Sequence, residues 1–288
     1  TLEDGTNFRV MGTICEPAAA ALNFLASMRE KKPESRVLEI DVGGGTFDMA
    51  LLTAYPDGKE SGGAVRYYDI VACDGIPDIG GLDFSDRLTG LLLSKAESAA
   101  GGKLTNAERT MLCRMTEDVK RRLSVSESAD VSDLMHGGEF LEINVTRAEF
   151  EAESRDLLSR IGERAAALLR RNPDFVPEHV VLCGGASKMP MIGETLRAAL
   201  PEYADRFAVF EPELSVCYGT ARYAAMEINA DEMYSDRTDR PLTVLKRTRA
   251  DIGIEYCDET KKPGEPGYLY IHRLIRRGTV IPCAADEV

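Results

Sequence analysis

The chain has 288 residues, of which 44% are hydrophobic and 29% charged, as in folded soluble proteins with room for one large domain or two ordinary ones. The formal net charge of −13 argues against nucleic acid as a partner, because an acidic surface repels phosphate backbones. No run approaches the roughly 18 apolar residues that span a bilayer, and the first residues do not resemble a signal peptide, so we expect no membrane partner.

The seven cysteines are odd in number and contain no Cys-x-x-Cys pair, and the three histidines lie far apart in the sequence. This pattern argues against a disulfide framework or a zinc site and favours a reducing, cytoplasmic location. Any catalysis is therefore expected to depend on carboxylates and glycine loops.

The first third of the chain predicts a helix, a hairpin and a second helix. A proline and alanines after Glu16 predict a helix from there to about Arg29. The strands of the hairpin are predicted at Val37 to Val42 and Thr46 to Thr53, with a third strand at Tyr67 to Cys73. The second helix is predicted from about Phe84 to Glu97.

The middle of the chain contains two capping boxes, which predict helix starts at Thr105 and Thr146. Spacing at i+4 predicts that the first of these helices buries the residues Met111, Met115, Val119 and Leu123. A strand is predicted at Phe140 to Val145, and the second capped helix is predicted to continue unbroken to about Asn172.

The last third predicts a short buried strand at His179 to Cys183, followed by a helix from about Ser187. Another helix is predicted at Glu213 to Asn229 and a polar linker at Asp231 to Arg240. Two strands, Ile252 to Cys257 and Tyr268 to Ile275, then form a predicted hairpin. This order of elements predicts a mixed α/β fold.

Two glycine turns are the candidate sites for a ligand. In the segment from Asp41 to Asp48, three glycines let the backbone approach an anion, and Asp41 could hold magnesium through water. The alternative is a flexible hairpin turn. In the segment Val180 to Pro190, Gly184 and Gly185 stand between a strand and a helix, which suits a flat or charged ligand but also ordinary α/β packing.

These motifs, in this order, resemble the nucleotide-binding domain of DnaK-type heat-shock chaperones in the actin-like ATPase superfamily. The resemblance rests on six segments: Glu16 to Ala20, Asp41 to Asp48, Gly80 to Phe84, Glu117 with Lys120 to Ser124, Gly184 to Pro190, and Glu211 to Glu213 with Tyr218 and Gly219. It implies an actin-like (ribonuclease H-like) lobe with a mixed sheet and flanking helices, followed by a β-hairpin.

The resemblance also implies the roles of individual residues toward ATP or ADP and Mg²⁺. The phosphates would contact Gly43, Gly44, Gly45 and Thr46, with Asp41 and Asp48 near magnesium and Glu16 orienting the attacking water. The adenosine would lie among Glu117, Lys120, Arg121, Ser124, Gly184, Gly185, Ala186, Lys188 and Glu213. Without the resemblance, the charges at 117–121 are typical of a solvated helix face.

The chain departs from the family pattern at several positions and in its extent. Ala18 replaces a threonine, Leu82 a glutamate, Ala186 a serine and Lys188 an arginine, which predicts weaker nucleotide binding. The family's first phosphate loop and its water-positioning lysine have no counterpart before Glu16. We therefore expect the second half of an ATPase domain and the first hairpin of a peptide-binding β domain.

The expected division of the chain follows the family fold. It comprises a remnant of the first lobe (1–30), the base of the second lobe (31–79 and 152–208), its upper subdomain (80–151), a helix returning to the first lobe (209–230), a linker (231–245) and the hairpin (246–288). The implied function is ATP-dependent capture of unfolded or extended peptides with co-chaperones. The alternatives are a nucleotide-binding regulatory or scaffolding relative without useful turnover and, less favoured because of the linker and hairpin, a filament-forming actin relative.

Overall fold

A computed structural model describes residues 13–28, 34–56, 65–233, 243–247, 252–257, 261, 269–275 and 280–281. Its helices are α1 (Glu16–Ser27), α2 (Gly81–Ala100), α3 (Asn106–Val125), α4 (Arg147–Glu153), α5 (Arg155–Arg170), α6 (Pro190–Ala199) and α7 (Ser215–Met233). Its strands are β1 (Ser35–Val42), β2 (Phe47–Pro56), β3 (Val65–Ile76), β4 (Ser128–His136), β5 (Glu139–Thr146), β6 (His179–Cys183), β7 (Phe207–Val209), β8 (Thr243–Arg247), β9 (Ile252–Cys257), β10 (Leu269–Ile275) and β11 (Val280–Ile281).

A mixed seven-stranded sheet in the order β11-β8-β3-β2-β1-β6-β7 forms the centre of the fold. Strands β1, β2 and β3 run antiparallel, whereas β6 lies parallel to β1 and β7 parallel to β6. In the β1–β6 register Asp41 lies opposite Cys183, so the glycine turns that follow β1 and β6 meet at the same edge of the sheet. The mixed sheet with flanking helices confirms the predicted fold class.

The two faces of the sheet are covered by different helices. Leu38, Ile40 and Val42 of β1 belong to the large buried cluster that also contains apolar residues of α2, α3, α5 and α6. The alternate residue Val37 and the β6 residue Cys183 belong to a second cluster with α1. The strand period of two therefore divides the core between two layers of helices.

Helix α1 packs closely against α7 on the second face. Its alanines, Ala18 to Ala21, are all fully buried. A Cβ on Gly219 of α7 would lie 1.8 Å from the carbonyl oxygen of Ala19, so this crossing requires glycine. Arg222 of α7 donates a hydrogen bond to Asn23 of α1 at 3.0 Å, which fixes the register of the two helices.

Both predicted capping boxes are confirmed, because Thr105 and Thr146 each accept a hydrogen bond from the backbone N–H three residues later. The predicted buried face of α3 is partly wrong. Val119 and Leu123 are buried, but the other buried positions are Leu112 and Thr116, and Met111 is exposed. A period of 3.6 residues rotates the buried stripe by one position from a strict i+4 row.

Two predicted helices are interrupted. The helix predicted to run from Thr146 to Asn172 is divided at Ser154, a buried residue that ends α4 and precedes α5. The helix predicted from Ser187 begins instead with a single 3-10 turn, Gly185–Lys188, and α6 starts at Pro190, whose ring favours the first helical position.

Strands β4, β7, β8 and β11 were not predicted. β4 pairs with β5 around the Gly137-Gly138 turn, and β8 lies parallel to β3. Within the segment expected to be a linker, α7 continues to Met233 and β8 begins at Thr243, and residues 234–242 lie outside the described residues. The predicted β9–β10 hairpin is confirmed, with Tyr268 outside the described residues. Over the described parts of the chain, no helix has the length and apolarity needed to cross a membrane.

Candidate functional site

The turn between β1 and β2 is closed by its own backbone. The N–H of Gly43 donates to the carbonyl oxygen of Thr46 at 3.0 Å. Gly44 and Gly45 are exposed, and no atom lies within 4 Å of the position that a Cβ would take on either. The glycines at these two positions therefore leave open space beside the backbone rather than relieving a contact within the chain.

The start of α2 is held against this turn. The N–H groups of Gly81 and Leu82 donate to the carbonyl oxygens of Gly43 and Gly44 at 2.9 and 2.8 Å. A Cβ on Gly80 would lie 2.5 Å from the backbone nitrogen of Gly45, so the approach requires glycine at position 80. The first N–H groups of the 20-residue helix α2 are therefore used within the chain to fix the glycine turn, and it is the helix dipole that favours an anion beside the turn.

The turn after β6 lies against the end of β1. Gly184 has φ +78°, and a Cβ there would lie 2.2 Å from the carbonyl oxygen of Val42. Both its conformation and this close approach therefore need glycine. The hydroxyl of Ser187 donates to the carbonyl oxygen of Gly184 at 2.7 Å and stabilises the turn that leads to Lys188.

The charged residues of α3 face the start of α2. Lys120 Nζ donates to the carbonyl oxygen of Gly81 at 3.0 Å and to Ser85 Oγ at 2.7 Å, and it lies 2.7 Å from Glu117 Oε2. Burial by itself would raise the pKa of Glu117, but the hydrogen bonds and charges of Lys120 and Arg121 leave it lowered. The Lys120 side chain is only 12% exposed, so it is not part of a solvated helix face.

On the opposite side, Lys188 Nζ lies 2.6 Å from Glu213 Oε1, and both side chains are substantially exposed. This ion pair holds the pKa of Glu213 below its usual value. A lysine ammonium is a point charge without a flat face, so it cannot stack on a base as an arginine guanidinium does.

These groups enclose one cavity of about 680 Å³, which we call the nucleoside cavity. It is lined by Gly43, Gly44, Gly81, Leu82, Glu117, Lys120, Arg121, Ser124, Val125, Gly185, Ala186, Lys188, Met189 and Glu213. A volume of this size, with an apolar part and converging polar groups, is typical of a small-molecule site.

A second cavity of about 410 Å³, the carboxylate cavity, contains the other predicted residues. It is lined by Glu16, Pro17, Asp41, Asp48, Met49, Cys73, Asp74 and Gly75. Burial, together with the negative charges of Glu16 and Asp48, raises the pKa of Asp41 to about 6. The oxygen donors and their mutual repulsion fit a hard cation such as Mg²⁺. Among the described residues, no three are placed to ligate a metal directly.

Behind Asp41 the strand carries a fully buried carboxyl group, Glu39. Burial and the nearby charge of Asp41 raise its pKa well above the usual value. The thiol of Cys183 is its neighbour on β6, and burial followed by the charge of Glu39 raises the pKa of that thiol as well. Both shifts favour the protonated, uncharged form of the group beneath the site.

The structure thus distributes the predicted site residues over two cavities. Ten of them line the nucleoside cavity, and Glu16, Asp41 and Asp48 line the carboxylate cavity. Gly45, Thr46 and Gly184 line neither, although all three belong to the turns beside them. Prediction of individual residues missed Gly81, Leu82, Val125 and Met189 in the first cavity and Pro17, Met49, Cys73, Asp74 and Gly75 in the second. A signal existed for Pro17, Gly81, Leu82 and Met189, because they lie within the segments that resemble the family.

Comparison with known proteins decides the family. The model of the Hsp70 protein family matches residues 6–259. The chain belongs to the Hsp70 family. It is also 29% identical over 284 residues to a heat shock 70 kDa protein of Penicillium citrinum, an alignment that covers 96% of this chain and 51% of that protein. The chain therefore spans about half the length of this curated relative. Membership of the Hsp70 family implies the actin-like ATPase fold and the nucleotide-binding domain of a chaperone.

Proposed function

We propose that the nucleoside cavity binds the adenosine part of ATP or ADP and that the intact Hsp70 protein hydrolyses ATP to control capture of unfolded peptides. The observation that carries the proposal is that five separate segments of the chain line one cavity. They are the glycine turn after β1, the start of α2, the charged end of α3, the turn after β6 and the segment before α7 that carries Glu213.

In this proposal the residues around the cavity divide the nucleotide between them. Glu117, Lys120, Arg121 and Ser124 contact the ribose and base from one side, and Gly184, Gly185, Ala186, Lys188 and Glu213 from the other. The backbone of Gly43 to Thr46 binds the phosphates, helped by the dipole of α2, whose N-terminus adjoins the turn. The hydrogen bonds of Gly81 and Leu82 to the turn support this, since they hold the phosphate and nucleoside parts in one rigid unit.

The carboxylate cavity supplies the chemical step. Asp41 and Asp48 would hold Mg²⁺, which when bound would supply positive charge to offset that on the transferring phosphate. Glu16 orients the attacking water by accepting a hydrogen bond. The raised pKa of Asp41 supports a cation here, because it reflects burial together with the negative charges of Glu16 and Asp48, and no described residue that lines the cavity is positive.

The remaining parts of the proposal concern the whole protein. By analogy with the family, its partners are extended apolar peptides and co-chaperones, and its compartment is the cytoplasm. The domain division stated above, with a linker over 231–245 and the start of a peptide-binding domain after it, belongs to the same proposal.

A second candidate is a relative that binds nucleotide without useful turnover. It is favoured by one observation: Leu82, Ala186 and Lys188, which depart from the family pattern, all line the nucleoside cavity, and Lys188 is already paired with Glu213. The two candidates differ in phosphate release by the intact protein, which only the first predicts.

Calorimetry with ADP and Mg²⁺ tests the binding site on this chain. We expect weak, saturable binding that Arg121→Ala reduces about tenfold, because a charge-assisted contact is lost. Arg114→Ala is the matched control, since Arg114 is exposed on the same helix but does not line the cavity. Equal effects of the two variants would argue against this cavity as the nucleotide site.

Phosphate release measured on the same sample tests the division of labour. We expect no sustained hydrolysis by this chain alone, because the family's first phosphate loop and water-positioning lysine have no counterpart in it, and positioning is most of what such enzymes contribute. Turnover by this chain would contradict the role that we give to those missing groups.

A further inference from the structure

A third cavity, of about 490 Å³, lies on the surface between α5 and the segment that joins β3 to α2. We call it the arginine cavity. Arg160, Arg164 and Arg170 of α5 line it, together with Glu163 on the same helix and Asp78 on the joining segment. Neither cavity described above contains any of these five side chains.

The concentration of positive charge here contrasts with the rest of the protein. The chain as a whole has a formal net charge of −13, yet the segment 155–171 contains five arginines and only two acidic residues. Because α5 buries its apolar face in the core, its charged residues lie on the surface of the protein, and three of its arginines line the cavity. Asp78 and Glu163 line the same cavity and offset part of this positive charge.

Two of the three arginines use only part of their hydrogen-bonding capacity. Arg160 reaches both oxygens of Asp78 through one nitrogen, Nη2, at 2.9 and 3.2 Å. Arg164 is paired with Asp74, which also accepts a hydrogen bond from Arg171. A guanidinium carries five N–H donors, so further donors remain for a ligand.

Arg170 is the exception in this group. Within the described parts of the chain it has no hydrogen-bond or ion-pair partner, although it is exposed at the C-terminal end of α5 and lines the cavity. The planar guanidinium of Arg170 therefore keeps its N–H donors available to a tetrahedral oxyanion, while the side chains of Arg160 and Arg164 are held by carboxylates.

We propose that the arginine cavity binds a small phosphate-class anion, either free phosphate or the phosphoryl group of a small monoester. Arg170 supplies the unshared fork, and Arg160 and Arg164 add donors from positions that Asp78 and Asp74 hold in place. The site is separate from the proposed nucleotide site and does not depend on it.

The position of the arginine cavity connects it to the carboxylate cavity. Gly75 lines both the arginine cavity and the carboxylate cavity. Asp74 lines the carboxylate cavity and accepts hydrogen bonds from Arg164 and Arg171. An anion in the arginine cavity shares Arg164 with Asp74, so its binding changes the partner of a residue in the carboxylate cavity.

The test is a titration of the whole chain with inorganic phosphate at constant ionic strength, followed by phosphorus NMR and calorimetry, in the presence of saturating ADP. We expect saturable binding that Arg170→Ala weakens about tenfold and Arg170→Lys less, because lysine retains the charge but not the fork. Arg155→Ala, on the same helix but outside the cavity, should leave binding unchanged. Glycerol phosphate in place of phosphate distinguishes a free anion from a monoester.

Three results would overturn the proposal. One is the absence of saturable binding by the native chain, and another is equal weakening by Arg170→Ala and Arg155→Ala. The third is complete loss of phosphate binding when ADP is added, which would place the anion at the glycine turn and leave the proposed nucleotide site intact. Circular dichroism of each variant separates loss of the site from loss of the fold.

Discussion

The two cavities beside the glycine turn balance their charges in opposite ways. In the nucleoside cavity Lys120 is paired with Glu117, and Lys188 with Glu213. In the carboxylate cavity Glu16, Asp41 and Asp48 face one another, and no residue that the structure describes in its lining is cationic. In the nucleoside cavity each lysine is therefore paired with a carboxylate. In the carboxylate cavity negative charge accumulates, and a bound cation would offset it.

The fourth carboxylate of the second cavity sharpens this difference. Asp74 has the same residue type as Asp41 but is paired with Arg164 and Arg171, and its pKa is lowered despite the opposing effect of burial. Asp41 has no such partner among the residues that line the cavity, and its pKa is raised to about 6. Local pairing, rather than the residue type, therefore decides which carboxylate is available to a cation.

The largest effect on activity is expected for a substitution in the carboxylate cavity. In the intact protein, Asp41→Asn should reduce ATP turnover at least about 100-fold, because a carboxylate charge beside magnesium is lost at the transferring phosphate. Steady-state phosphate release at saturating ATP measures this change. Asp118→Asn, a substitution of the same type on the exposed face of α3, should turn over ATP at the native rate. An unaffected rate in Asp41→Asn would refute the assignment of this cavity.

The next largest effect is expected for a substitution in the nucleoside cavity. Lys120→Met should weaken ADP binding by this chain about tenfold and lower the free energy of unfolding by about 1–2 kcal/mol. The reason is that Lys120 Nζ fixes the start of α2 through Gly81 and Ser85 while balancing Glu117. Calorimetry and urea unfolding measure the two quantities. If Lys120→Met bound ADP like the native chain, the charges of α3 would be structural only.

The fold elements around the site could be predicted from sequence where local rules act alone. The glycine turn after β1 and the caps at Thr105 and Thr146 need only a few neighbouring residues, and all three agree with prediction. Strand β8 could not be predicted in this way, because it pairs with β3, which lies far from it in sequence. The break between α4 and α5 at Ser154 could not be predicted either, because no glycine or proline marks it in the sequence.

The site residues could likewise be predicted where a local motif marks them, but not where their position depends on contacts between strands. Gly43, Gly44 and the charges of α3 could be identified because their motifs resemble a known family, and they line one cavity. Asp74 and Gly75 could not, because their position depends on how the end of β3 lies against β2. In the structure a Cβ on Gly75 would lie 2.7 Å from the carbonyl oxygen of Phe47, a contact between strands that no local pattern contains.

The pH dependence of the free energy of unfolding tests, without any ligand, whether the charge of Asp41 in the carboxylate cavity is unpaired. A carboxyl group whose pKa is raised in the folded state binds its proton more tightly there than when unfolded. Asp41 therefore contributes stability below its unfolded pKa of about 3.8, and this contribution is lost as the pH rises through about 6. We expect Asp41→Asn to raise the free energy of unfolding by about 1 kcal/mol at pH 7 and by almost nothing below about pH 4. Urea unfolding across this range, in magnesium-free buffer, measures the difference. A variant that is less stable than the native chain at pH 7 would show that the ionised Asp41 has a compensating partner.

The smallest effect is expected for the more exposed of the two ion pairs in the nucleoside cavity. Lys188 and Glu213 are 48% and 65% exposed, whereas Lys120 is 12% exposed, so solvent screens the first pair much more strongly. Glu213→Gln should therefore change the free energy of unfolding by less than about 0.5 kcal/mol and the ADP affinity by less than about threefold. Its effect on affinity should shrink further in high salt, whereas that of Lys120→Met should persist, because the ammonium of Lys120 is largely buried and is screened less. Calorimetry at low and high salt compares the two variants directly. A tenfold loss in Glu213→Gln that survives high salt would mean that the contact of this exposed carboxylate with the nucleotide contributes as much to affinity as Lys120 does.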